Sequence, residues 1–153
     1  MTSKAIAAIL SDFRGDIEHG HGATFEEISN CEQVLGIQFV GSFADYLHTY
    51  GWLNVGSSEI YGLASDLEKW QRITENTLSE RQEMYPPLPS FLVTFFNDGF
   101  GNQHCLDARQ TIDGEHQIVF WNHELGPDQS PELIAGSFEE WLRLLVASEQ
   151  EDA

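Results

Sequence analysis

Histidine and cysteine are the residue types in this chain best suited to metal binding or nucleophilic catalysis. His19 and His21 lie in a glycine-rich segment without further ligands at the spacing of a zinc site. His104-Cys105, His116 and His123 form the best remaining cluster, because adjacent antiparallel strands could bring them together. Side chains alternate along a strand, so His116 and His123, an odd number of positions apart, point to opposite faces. We therefore predict no metal site, no cofactor and no catalytic residue here.

Three carboxylates could instead supply acid–base chemistry, namely Asp98, Asp107 and Glu124. Asp98 lies in the segment Asn97-Asp-Gly-Phe-Gly-Asn102, where aspartate and asparagine side chains commonly accept hydrogen bonds from their own turn. This segment lacks the alternating oxygen ligands and the distal glutamate of a calcium loop. Phosphate-binding glycine motifs are absent from the sequence. A structural role in the turn is thus favoured for Asp98.

Charge is the most informative property of the sequence. The 153 residues carry a net charge of −18, and the stretch Gln110–Leu142 contains no lysine or arginine. Such an excess of acid repels phosphate backbones and anionic lipids, which disfavours direct binding to nucleic acid or membranes. It also accelerates association with a basic partner. Two widely spaced cysteines and a first apolar run too short for a signal peptide predict a cytoplasmic protein.

The first half of the chain is predicted to be mainly helical. Apolar residues recur at helical spacing from Ile6 to Ile17, with Ser3 as the N-cap, and the glycine-rich segment 15–22 then breaks the helix. Thr24 and Glu27 form a capping box for a second helix that buries Val34 and ends at Gly36. A third helix begins at Ser42, with Asp45 in its first turn, and ends at Gly51.

The second half of the chain alternates strands with two further helices. Capping boxes at Ser65–Glu68 and Ser137–Glu140 begin these helices, and Trp70 is assigned to the core with the other tryptophans. Gly126–Gly136 is predicted to be a loop. The strands are predicted at residues 52–55 and 59–63, which form a hairpin around the Gly56-Ser-Ser turn, and at residues 91–96, 103–108 and 116–123. This order favours an α+β fold, an antiparallel sheet with helices on one face and at its ends, in one domain spanning residues 1–153.

Several motifs along residues 24–146 together resemble the SUKH superfamily in their order and spacing. They are Ile28-x-x-x-Glu32-x-x-Leu35-Gly36, Phe43-x-x-Tyr46-Leu47-x-x-Tyr50-Gly51, Glu59-Ile-Tyr-Gly-Leu63, Phe95-x-Asn97-Asp-Gly-x-Gly-Asn102 with Leu106-Asp107, His123-Glu124 and Ser137-Phe-Glu-Glu-Trp-Leu142. One departure is Val40-Gly41, where the superfamily commonly has Leu-Pro.

This resemblance implies an α+β domain that serves in bacteria mainly as an immunity protein against a cognate toxin. Eukaryotic relatives resemble regulatory modules of cell-wall signalling, and neither role is that of a conventional enzyme. Combined with the charge, the resemblance predicts a protein that binds a basic, nuclease-like toxin domain. The candidate contacts are acids at turns and strand ends, with Glu59 and Trp121 as weaker candidates: Asp98, Asp107, Asp113, Glu115, Glu124, Asp128, Glu59 and Trp121.

Two other functions stay open at this point. One is a non-enzymatic regulatory or scaffold module that binds an endogenous protein. The other is a small hydrolase that uses His104, His123 or the carboxylates. A toxin gene directly upstream would favour the immunity function over both.

Overall fold

The computed structural model describes residues 4–152, which fold into two antiparallel sheets and five α-helices. The helices are α1 (Lys4–Ser11), α2 (Phe25–Leu35), α3 (Gly41–Thr49), α4 (Ile73–Gln82) and α5 (Phe138–Asp152). The strands are β1 (Ile17–His19), β2 (Leu53–Val55), β3 (Ser58–Ile60), β4 (Leu92–Asn97), β5 (Gln103–Ile112), β6 (Glu115–Trp121) and β7 (Glu132–Ala135). The predicted α+β class is confirmed, with two sheets where the sequence predicted one.

The smaller sheet has the order β1-β2-β3 and contains the predicted hairpin. Its first strand corrects the sequence analysis, because Ile17 pairs with Val55 and does not continue the first helix. The spacing of Phe13 and Ile17 imitates a helix, but Gly15 between them is a poor helix former. The open edge of β2 offers backbone hydrogen bonds that stabilise the extended conformation instead.

The larger sheet has the order β4-β5-β6-β7, and its β4 edge is covered. The Thr77 hydroxyl accepts a hydrogen bond from the Thr94 backbone N–H at 3.2 Å. The Arg81 guanidinium donates to the Leu92 carbonyl at 3.0 Å. These contacts protect an edge that would otherwise be free to pair with another chain. At the opposite edge, β7 lies within the segment that was predicted to be a loop. That prediction was wrong for β7 because the nearby Pro127 and Pro131 favour a loop over a short strand.

The two faces of the larger sheet carry separate apolar clusters. On one face, α3 and α5 pack through contacting aromatic rings, among them Phe43, Phe95 and Phe138. On the other face, Trp121 packs in a smaller cluster with Leu88 and is only 1% exposed. Trp121 therefore belongs to the core and is removed from the predicted contacts.

The predicted helix cap is present at α2 but not at α4, and two residues predicted to be buried are exposed. The Thr24 and Glu27 capping box of α2 is confirmed by hydrogen bonds of 3.1 and 2.8 Å. The predicted cap at Ser65 is wrong, since a short 3₁₀ turn precedes α4, which begins only at Ile73. Val34 and Trp70, both predicted to be buried, are exposed. The predicted N-cap Ser3 lies outside the described residues.

Helix α3 begins one residue earlier than predicted, at Gly41, so Asp45 lies beyond its first turn. Gly41 has φ +66°, a conformation closed to proline, and a Cβ on it would lie 2.6 Å from the Gly114 carbonyl oxygen. The departure from Leu-Pro noted in the sequence thus lets the β5–β6 turn approach this helix closely. At α5, Ser137 caps the Glu140 N–H at 3.1 Å, which is half of the predicted box.

Candidate functional site

The predicted contact residues are divided between opposite ends of the larger sheet. Strand β5 has ten residues and so spans about 30 Å between its two turns. We call one end the Asp113 end (Asp107, Asp113 and Glu115) and the other the Asp98 end (Glu59, Asp98, Glu124 and Asp128).

At the Asp113 end, Glu115 caps helix α3. The Ser42 hydroxyl donates to the Glu115 carboxylate at 2.7 Å, and the Ser42 N–H donates to it at 2.9 Å. Ser42 Oγ also accepts from the Glu139 N–H at 3.0 Å, which links the starts of α3 and α5. Val40, the residue before α3, makes no capping bond with its own side chain. Glu115 is therefore occupied in holding helices together.

Asp107 at the same end is buried and paired with Arg109. The guanidinium donates two hydrogen bonds to the carboxylate, at 2.8 and 3.0 Å. Burial opposes the charged form, but the hydrogen bonds and the charge of Arg109 outweigh it and lower the pKa of Asp107. Only Asp113, exposed in the β5–β6 turn, is left at this end without a hydrogen bond to its carboxylate from the described residues.

At the Asp98 end, Asp98 organises its own turn. Its carboxylate accepts from the Phe100 N–H at 2.8 Å and from the Asn102 side chain at 3.0 Å. Partial burial disfavours the charged form, yet these hydrogen bonds prevail and lower the pKa of Asp98. The predicted turn role is confirmed, and the carboxylate is ionised at neutral pH.

Two loops meet at this end, and one of them carries unpaired carboxylates. Asn102 Oδ1 accepts a hydrogen bond from the His123 backbone N–H at 3.1 Å, which joins the β4–β5 turn to the β6–β7 loop. Glu124 and Asp128 follow in that loop and are exposed. Their carboxylates form neither hydrogen bonds nor ion pairs within residues 4–152.

Glu59 joins this end through a cleft of about 460 Å³ that also contains Asp98 and Glu149. We call it the acidic cleft. The Ser58 hydroxyl donates to Glu149 at 2.6 Å, which fixes α5 against the β2–β3 hairpin. Tyr61 lies in the same cleft, and burial, reinforced by nearby Glu80 and Glu59, raises its pKa to about 12. The cleft therefore combines negative charge with one neutral phenol.

An apolar groove of about 410 Å³ continues from the acidic cleft, sharing Ser58, Phe96, Asp98 and Glu149 with it. The floor is a row of rings across three strands, because Phe96 and Phe120 both pair with His104 in the sheet. Helix α5 and strand β7 supply the walls. The groove's apolar lining residues are Phe96, Phe120, Ile134, Trp141, Leu144 and Leu145.

His104 is the one histidine in the groove, and its hydrogen bonding fixes its tautomer. Trp141 Nε1–H donates to His104 Nδ1 at 2.8 Å. Burial lowers the pKa of His104 to about 4, only partly opposed by Asp98, so the ring is neutral at pH 7. The ring hydrogen then lies on Nε2, which makes no hydrogen bond within residues 4–152.

The other histidines do not join His104 in a catalytic cluster. His116 Nε2 accepts from the Val40 N–H at 3.0 Å, and His123 lies against the β4–β5 turn. Cys105 points to the opposite face of the sheet and is fully buried, which raises its pKa. Residues 4–152 contain no group of three or more side chains that could hold a metal ion.

Sequence reasoning missed Glu149, Tyr61 and the groove. Leu144 carried a usable signal, because Trp141, Leu142 and Leu145 already form an apolar stripe at helical spacing, and Leu144 widens this stripe beyond what one buried face needs. Glu149 gave no signal, since its partner Ser58 is 91 positions away.

Comparison with family models places the chain. The model of the SUKH_5 family, described as SMI1-KNR4 cell-wall, matches residues 6–146, so the protein belongs to the SUKH superfamily. The match begins at α1, earlier than the motifs recognised in the sequence. Comparison with curated proteins gives no match. The family supports a protein-binding role, either in toxin immunity or like that of SMI1-KNR4, and its members are generally non-catalytic. In the described part of the chain, every helix is too short or too polar to cross a membrane.

Proposed function

We propose that this protein is a single-domain cytoplasmic immunity protein that binds and neutralises a basic, nuclease-like toxin domain. Its contact surface is the Asp98 end together with the acidic cleft. Inhibition results from covering the cationic surface that the toxin uses for its own substrate. Glu59, Glu124 and Asp128 make the principal contacts, and Asp98 holds the turn that presents them.

One observation carries this proposal: acids of the Asp98 end are exposed and unpaired among the described residues. The carboxylates of Glu59, Glu124 and Asp128 accept no hydrogen bond from residues 4–152. Concentrating like charges costs stability through repulsion, whereas it steers a basic partner and raises its association rate by roughly 10- to 1,000-fold. Nucleases suit this surface because they bind phosphates through lysine and arginine.

Co-expression with the toxin domain encoded by the neighbouring gene tests the proposal. The wild-type protein should restore growth, and the purified pair should form a complex at low salt. Glu59→Gln/Glu124→Gln should weaken rescue, whereas Glu83→Gln/Asp113→Asn should preserve it. The two variants make a matched pair, since both remove two exposed acids and raise the net charge by two. Absence of both rescue and complex formation would overturn the immunity function.

The SMI1-KNR4 description of the matched family favours a second candidate, a non-enzymatic regulatory module that binds an endogenous protein. The same acidic surface would then recognise a basic host protein. Affinity purification from the native cell at low salt separates the two functions. A housekeeping partner, recovered from cells that lack any neighbouring toxin gene, would support regulation over immunity.

A further inference from the structure

The apolar groove has the dimensions and lining of a pocket for one large side chain. It has a volume of about 410 Å³, and Leu144 on its lining remains 55% exposed. Exposed leucines are common singly, but here Leu144 adjoins the aromatic row of Phe96, His104 and Phe120. Covering this row would bury apolar area and release its water.

The surroundings of the groove define the charge of what it binds. Glu149 and Asp98 lie on its lining, and Glu59 lies in the acidic cleft next to it. Among residues 4–152, Arg109 and Arg143 form ion pairs with acids. Neither of these arginines lines the groove or the cleft. A second copy of this chain also has a net charge of −18 and would be repelled.

His104 adds a directional contact to the groove. Its Nδ1 is occupied by the Trp141 indole, so the neutral ring offers only the Nε2–H. That N–H suits a backbone or side-chain carbonyl oxygen of a bound segment. The groove thus provides an apolar surface, one fixed donor and a negatively charged rim.

We propose that the groove binds a tryptophan, phenylalanine or leucine side chain of the basic partner, with a neighbouring lysine or arginine contacting Glu59 in the adjoining acidic cleft. The inference rests on the proposed function for the charge of the partner. It adds an apolar anchor, and buried aromatic anchors usually dominate the free energy of binding at protein interfaces.

A short peptide tests the anchor without the toxin. The probe is a pentapeptide with a central tryptophan between two lysine–arginine pairs, and the control peptide has alanine at its centre. In ¹H–¹⁵N NMR titrations of the full chain, the tryptophan peptide should shift the Trp141 indole N–H and the amides of Phe120 and Leu144. The alanine peptide should bind about tenfold more weakly.

Three variants sharpen this test. Leu144→Ala should weaken binding of the tryptophan peptide about tenfold, whereas Leu133→Ala, at a residue 57% exposed and outside the groove, should leave it unchanged. Ser148→Arg, at an exposed groove position, should weaken it through charge repulsion.

Equal affinity for the two peptides, or shifts away from the groove, would overturn the anchor. Shifts at the groove that depend on protein concentration without peptide would identify a second copy as the occupant and overturn it equally. If this protein rescues growth but the peptide result is negative, the anchor role of the groove is rejected and the proposed function still stands.

Discussion

The two ends of the larger sheet carry similar numbers of acids and use them differently. At the Asp113 end, Glu115 caps α3 and Asp107 is neutralised by Arg109, so these charges stabilise the fold. At the Asp98 end, only Asp98 is engaged by its own turn, whereas Glu59 and Glu124 are exposed. An acid's role therefore depends on the donors that the fold brings to it. Within residues 4–152, the Asp98 end keeps three exposed acids without such donors, Glu59, Glu124 and Asp128, whereas the other end keeps only Asp113.

Removing Glu115 should give the largest loss of stability. Glu115→Ala leaves the start of α3 without its carboxylate cap and should lower the free energy of unfolding by about 2 kcal/mol. Glu124→Ala should change it by less than about 0.5 kcal/mol, because its carboxylate holds nothing in the fold. Urea denaturation of both variants measures the difference. Equal losses would show that the two ends are not distinct.

The histidine in the groove should make stability depend on pH. The unfolded ring binds a proton below pH 6.5, whereas the folded ring binds it only below about pH 4. The unfolded state therefore holds more protons between these values, and stability falls as the pH is lowered from 6.5 to 4. His104→Gln should remove about 3 kcal/mol of this decline, measured by urea denaturation at several pH values. An unchanged pH profile would show that His104 is not held neutral.

A smaller effect is expected for the turn at Asp98. Its pKa is lowered in the fold, so its stabilising contribution is present above the unfolded pKa and is lost as the pH falls through the folded value. Asp98→Asn should cost about 1 kcal/mol at pH 7, and this cost should shrink as the pH falls through the folded pKa of Asp98. Glu124→Gln, which also removes one acid of this end, is measured alongside as the control for the loss of a charge. A constant cost for Asp98→Asn at all pH values would contradict the role assigned to the charge.

Local signals in the sequence predicted the fold class well. The capping box at Thr24 and the hairpin around Gly56 depend on neighbours in sequence, and both are present. Strand β1 was missed because it is short and is stabilised by pairing with the distant β2, and β7 was missed because it is short and follows Pro127 and Pro131. Trp70 was predicted to be buried, but it lies in a short 3₁₀ turn before α4, and this turn exposes the indole.

The site was predictable only in its chemistry. The acidic excess and the turn role of Asp98 follow from residue types and spacing. The sequence does not show which acids are free, because Glu115 accepts a hydrogen bond from Ser42, 73 positions away, and Glu149 accepts one from Ser58, 91 positions away. Such long-range donors determine which carboxylates remain available, and they become visible only in the folded chain.

The central claim is that the Asp98 end, and not net charge alone, binds the basic partner. The test is to measure association rates with the toxin domain encoded by the neighbouring gene, by stopped flow at low and high salt. The rates of two double variants, Glu59→Gln/Glu124→Gln and Glu83→Gln/Asp113→Asn, are compared with that of the wild type. We predict a roughly tenfold slower rate at low salt for the first variant, a near wild-type rate for the second, and convergence at 1 M salt, where screening acts within about 3 Å. Equal slowing by both variants would contradict the claim.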